Sequence, residues 1–238
     1  MKKKKNLTKV LFASTAAILV IAILLSAFLI KDYIDTYGEG AVVKTKYTTD
    51  IYEIASNPND YQIEIYEELA KKCNEYETFS ESGGMEDVAG LVVKSFIADF
   101  FTWSNKKGSY DIGGLDYVYG PQFINIQEQF RAYYYNDLDL LINQYGSENL
   151  PTVTNITITS SNHTKDLFYF DANEYDEATD EYVINQVSYD AYHVIATWEY
   201  EADENSTYDT SNLPNQGQFM VINHDGRLEI AYYHEYYY

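Results

Sequence analysis

Metal binding and proton transfer near neutral pH both favour histidine, and this chain has four, His163, His193, His224 and His234. None falls in an HExxH or paired-cysteine spacing, the patterns that gather ligands on one helix or knuckle. They read as strand-surface and turn residues. The stretch Asp171-Ala172-Asn173-Glu174-Tyr175-Asp176 begins like a calcium loop. Its sixth position is Asp176 where an EF-hand needs glycine, and its twelfth is Tyr182 where a bidentate glutamate is required. An acidic, solvated hairpin loop is therefore expected, with no metal and no cofactor. Cys73 is the single cysteine, so no intramolecular disulfide can form and the core must hold the fold. Twenty-six tyrosines, with runs at Tyr133-Tyr134-Tyr135 and Tyr236-Tyr237-Tyr238, could furnish a carbohydrate- or protein-binding surface, because Tyr offers large contact area at low entropic cost. Strands also need aromatic residues, and AT-rich coding enriches Tyr, Asn, Ile and Lys together, so most of the tyrosines are read as structural.

The elements that must carry these residues begin with a membrane anchor. Five lysines, Lys2 to Lys5 and Lys9, precede 21 uncharged residues from Val10 to Ile30, interrupted only by Ser14, Thr15 and Ser26. At 1.5 Å per residue such a helix is about 30 Å long, the hydrocarbon thickness of a bilayer. A cleaved signal peptide would have a shorter apolar region and a small-x-small end, whereas this run ends Ser26-Ala27-Phe28-Leu29-Ile30. The expectation is a cytoplasmic stub at 1–9, a single transmembrane helix at 10–30, an extracytoplasmic stalk at 31–57 and a domain at 58–238. The lysine asymmetry puts the N-terminus inside and the C-terminal domain outside. Residues 1–30 hold five of the 16 Lys and Arg and none of the 37 Asp and Glu, which leaves 11 basic against 37 acidic side chains beyond the helix, a net charge of −26. Such a surface repels phosphate backbones and excludes direct nucleic-acid binding.

Within the domain, Asn57-Pro58 signals a helix start, and Tyr61, Ile65, Leu69, Cys73 and Tyr76 form one apolar face over 58–77. A second helix is expected over Met85 to Ser104, with Val88, Leu91, Val92, Phe96, Phe100 and Trp103 on a stripe widened by Ile97 and Phe101, at the centre of the core. Leu115 to Tyr119 reads as a short extended piece. Gly120-Pro121 opens a third helix marked by Phe123, Ile126, Phe130, Tyr134, Leu138, Leu141 and Tyr145 and closed by Gly146. From Pro151 onward the pattern is antiparallel strand, with Tyr192, Val194, Ala196, Trp198 and Tyr200 on one face of a long strand. Asp225-Gly226 fits a type I′ hairpin turn, and Leu228, Ile230 and Tyr232 alternate along the closing strand.

This α+β order of helix, helix, short strand, helix and long antiparallel strands over 58–238 resembles the NTF2-like (cystatin-like cone) superfamily, in which a curved sheet wraps the helices. A short cytoplasmic tail, one transmembrane helix and an outer cone is similar to the VirB8 and TcpC components of conjugative secretion channels. That resemblance implies a non-enzymatic scaffold in the bacterial cell envelope, meeting a protein partner or another copy of itself. Cone folds also host enzymes of the ketosteroid isomerase kind, with an acid and a tyrosine in an apolar pocket. The resemblance therefore implies, as the alternative, a ligand-binding or catalytic pocket between helices and sheet, for which Asp99, Tyr134, Trp103 and Trp198 are the candidates.

Overall fold

The computed structural model describes residues 51–76, 84–164, 168–201 and 206–235. The stub, the span from Val10 to Ile30 and the stalk as far as residue 50 lie outside the described residues, among which no helix is long and apolar enough to cross a membrane. The described part is α+β. Helices α1 (Asp60–Glu75) and α2 (Glu86–Phe100) are followed by α3 (Phe123–Phe130), a π-helical turn (Arg131–Tyr135) and α4 (Leu138–Tyr145). Six strands complete it: β1 (Thr152–His163), β2 (Phe168–Asp176), β3 (Glu181–Tyr189), β4 (Ala191–Glu201), β5 (Gln216–His224) and β6 (Arg227–Glu235).

α1 starts two residues later than the Asn57-Pro58 signal. Asn59 accepts a hydrogen bond from the Gln62 amide while the Gln62 side chain accepts one from the Asn59 amide, each at 2.8 Å, a reciprocal capping box. Its buried face includes Ile65, Tyr66, Leu69 and Cys73. α2 is the central element, with eleven of its 15 residues buried. It stops at Phe100 rather than Ser104 because the following backbone changes partner: Trp103 N–H donates to the Pro151 carbonyl at 2.8 Å, and Val153 N–H donates to the Thr102 hydroxyl at 3.1 Å.

Tyr52 and Ile54, which fall in the expected stalk, are core residues. Tyr52 donates to the Leu228 carbonyl at 2.8 Å, its own carbonyl accepts from the Tyr66 hydroxyl at 2.7 Å, and the Arg227 guanidinium lies 4.9 Å from the centre of its ring. Leu115 to Tyr119 is not a strand. Leu115–Tyr117 form a 3₁₀ turn, and only Val118 makes a β-bridge, parallel to Ile230, with Tyr119 N–H donating to the Ile230 carbonyl at 3.0 Å.

The main sheet has the order β1-β4-β5-β6, antiparallel throughout, while β2 and β3 pair only with each other in a separate hairpin. β4 alternates as expected, burying Tyr192, Val194, Ala196 and Trp198. Asp225 and Gly226 both have positive φ, 51° and 84°, as a type I′ turn requires. The alternation along β6 breaks between Ile230 and Tyr232. Val221 pairs with Ile230 and Met220 with Tyr232, so Ala231 is an extra residue. This bulge turns Tyr232 out to solvent and brings Tyr233 against Phe219, with ring centroids 4.8 Å apart.

Candidate functional site

Asp99 is held by donors of the protein itself. Its carboxylate receives the Lys106 ammonium at 2.5 Å, the Gly114 amide at 2.6 Å and the Gln62 side chain at 3.4 Å. Both members of the ion pair are nearly buried, and together they clamp the loop around Gly113 and Gly114 onto the end of α2. Tyr134 packs its ring on Phe100, Phe101 and Phe130, at centroid distances of 5.1, 6.1 and 6.3 Å. The tyrosine that reaches the Gly113 loop is its neighbour Tyr135, which donates to the Phe100 carbonyl at 2.5 Å and accepts from the Gly113 amide at 3.2 Å. The π turn is the reason: one extra residue per turn shifts the stripe, so Tyr135 rather than Tyr134 points into the core.

The two tryptophans are also core. Trp103 is 8% exposed and packs edge-on against Tyr135 and Tyr208. Trp198 stacks on Phe101 at 4.8 Å, and its indole N–H donates to the Tyr200 hydroxyl at 2.8 Å, which in turn donates to the Pro214 carbonyl. Of the four candidates, Tyr134 lines a cleft between the helix Phe123–Phe130 with its π turn and β6. Trp103→Ala should therefore behave as a core truncation, costing about 3 to 5 kcal/mol. Chemical denaturation should show the loss as a lower midpoint at unchanged slope, and a change under about 1 kcal/mol would mean that the Trp103 site is open.

A charged cluster around the buried Glu229 escaped the sequence reading. Glu229 accepts from His224 at 2.8 Å, from Arg227 at 3.1 Å and from the Gly120 amide at 3.3 Å, while Arg227 also pairs with Asp116 at 3.1 Å. Burial pushes the Asp116 carboxyl up, with Arg227 opposing. Arg227 and Glu229, two apart on a strand that opens with the hairpin turn, were the available signal, since residues i and i+2 share a face. The cluster ties the Asp116–Gly120 segment to β6 and has its oxygens filled by protein donors. Among the described residues no group of three or more His, Cys, Asp or Glu could hold a metal ion.

A cleft of about 330 Å³ runs between α3 with its π turn and the edge strand β6. Ile126, Phe130 and Tyr134, spaced four apart, form its deeper row, and Gln122, Asn125, Gln129 and Tyr133 the outer row on the same helical side. Ala231, Tyr232 and Tyr233 form the opposite wall. Tyr133 is 81% exposed and Tyr232 52% exposed, so two rings stand as lips at the opening. Both walls carry an inserted residue, the π turn on the helix and the Ala231 bulge on the strand. Such irregularities weaken local hydrogen bonding and concentrate at functional sites; here each one aims tyrosines at the cleft. The lining holds no carboxylate, imidazole, amine, guanidinium or thiol, so it has no group able to act as a general base near neutral pH. A second, shallower cleft between α1, α2 and β1 is rimmed by Lys72, Glu86, Asp87 and Lys94. Lys72 there pairs with Glu75 and Asp87 at 3.0 and 3.2 Å, as solvated surface charges do. Compared with known proteins, the chain matches no family model, no curated protein and no solved structure.

Proposed function

We propose that this chain is a non-enzymatic interaction domain of the bacterial cell envelope, held by one N-terminal transmembrane helix and built as a cone of the NTF2-like kind. The observation that carries the reading is the α3–β6 face. It joins a cleft whose lining has no acid or base to two exposed aromatic side chains, Tyr133 (81% exposed) on the helical side and Tyr232 (52% exposed) on the strand. Large apolar groups left in water on one face suit recognition of a partner better than turnover of a substrate. The uncharged run from Val10 to Ile30 and the lysines before it support an anchor with the domain outside. A protein partner or a second copy of the chain would seat on this face, with the acidic remainder of the surface limiting non-specific contact.

Protease added to intact cells should remove the bulk of the full chain and leave a small membrane-held N-terminal fragment. Recovery of a soluble form lacking roughly the first 27 residues, the length expected of a cleaved leader, would replace the anchor by a signal peptide. Protection of the whole chain would reverse the orientation.

A further inference from the structure

We propose that the α3–β6 cleft binds an uncharged saccharide chain, its sugar rings laid against the tyrosines and their hydroxyls held by the amide row. The proposal narrows the reading of the domain as an outward-facing binding module: it names a neutral glycan at the cell surface, in place of a protein, as the occupant of this face, and it rests on the outward orientation for that source.

Three amides, Gln122, Asn125 and Gln129, follow one another along the helical wall at spacings of three and four. None of them gives its side chain to a hydrogen bond with a described residue of the protein. Each amide presents a donor and an acceptor side by side, which is the complement of two neighbouring sugar hydroxyls, each of which both donates and accepts. A carboxylate accepts only and an ammonium donates only, and the lining has neither. In a domain whose side chains sum to −26 beyond residue 30, the field of the surface repels an anionic polymer, and the cleft has no carboxylate to pair with a cationic one.

The apolar half of the recognition comes from the lips. The Tyr232 ring lies nearly parallel to that of His234, with centroids 6.3 Å apart and planes 17° from parallel, so the strand presents two flat rings side by side. Tyr133 faces the same opening from the π turn. Flat, rigid aromatic plates bury the C–H face of a pyranose ring at little entropic cost. A volume of about 330 Å³ is at the small end for ligand sites, enough for one or two rings inside the lips with the rest of a chain continuing past them. An extended peptide would add to β6 through its outer edge, but at Ile230 that edge is occupied by Val118 and Tyr119. This contact shortens the edge available for strand addition and favours a ligand held by side chains.

The full chain reconstituted in lipid nanodiscs, free of sugar detergents, can be titrated with maltohexaose, cellohexaose, mannohexaose and chitohexaose at millimolar concentration, following saturation-transfer NMR of the sugar protons. We expect at least one to bind, with saturation strongest on the C–H protons of one ring face. Gln129→Ala and Tyr232→Ala, both at exposed positions, should each weaken that binding about tenfold or more while leaving the melting temperature unchanged. If none of the four saccharides binds, or if both variants bind as wild type does, the proposal is overturned. A polypeptide that protects Tyr133 and Tyr232 from surface labelling when no saccharide does would also overturn it, in favour of a protein ligand at the same face. The protease experiment is independent of these outcomes, so loss of the saccharide and loss of the outward orientation would be told apart.

Discussion

Raising the pH through about 10 should unfold the described domain in a single step, with its buried tyrosines ionising only as it opens. Burial holds the phenols of Tyr52, Tyr117 and Tyr135 well above their ordinary range, with nearby anionic groups such as Asp99 adding to the effect at Tyr117 and Tyr135. In the unfolded chain the same groups ionise near pH 10. Above that value the unfolded state binds fewer protons than the folded one, so stability falls as pH rises; below it the contribution is fully present. Each such phenol costs about 1.4 kcal/mol per pH unit, hence about 4 kcal/mol per unit for the three. A reserve of roughly 5 to 15 kcal/mol would be spent within a few units. Tyr192, pushed up to about 12 chiefly by burial, and Cys73, pushed up to about 11 by burial, act in the same direction. Tyrosinate absorbance and far-ultraviolet circular dichroism followed together would show a phase of ionisation coincident with loss of structure. Smooth ionisation of every tyrosine with the dichroism unchanged would contradict the closed aromatic core.

The second large effect is expected at Gly113, where alanine should abolish the cooperative fold. A Cβ at this position would lie 2.3 Å from the Asp99 carbonyl oxygen and 2.7 Å from its carbon. Both are backbone atoms of α2, so no side-chain rotation relieves the clash. Moving the loop away would break the Gly113 amide to Tyr135 and the Gly114 amide to Asp99. It would also disturb Gly114, whose φ of +74° sets its own Cβ position 2.7 Å from the Phe96 ring. Losing these contacts beside a nearly buried ion pair should exceed about 5 kcal/mol, a range reached only by named structural failures. Gly120→Ala is the control, since a Cβ there meets nothing nearer than 3.9 Å. Equilibrium denaturation of both variants is the test, and a Gly113→Ala protein as stable as the control would mean that the loop does not pack on α2 as described.

Much of this architecture is legible in the residues because local period and tertiary burial agree. α2 shows it best, since its unbroken apolar stripe demanded a central position and every stripe residue from Val88 to Phe100 is buried. The Asp225-Gly226 turn is equally local, because two positive φ angles need those residue types. What escaped was set by insertions that no period reveals. A regular helix through Phe130 and Tyr134 points Tyr134 inward, and one extra residue in the turn gives that place to Tyr135. A regular strand through Leu228 and Ile230 points Tyr232 inward, and the Ala231 bulge gives that place to Tyr233. Strand alternation also says nothing about pairing, so the separation of β2 and β3 from the main sheet was not readable. These two insertions shape the cleft, which is why the sequence reached it through Tyr134 alone and placed Asp99, Trp103 and Trp198 beside it.

The claim on which the rest depends is that the α3–β6 face is the working surface of the domain. A photoreactive benzoylphenylalanine placed at Tyr133 or Tyr232 of the full chain, in its own cells, tests it directly, with Glu199, exposed on β4, as the comparison position. Light-dependent adducts of one defined mass class from Tyr133 and Tyr232, and none from Glu199, are the predicted result. No adduct from either tyrosine, or adducts equally abundant from Glu199, would contradict it.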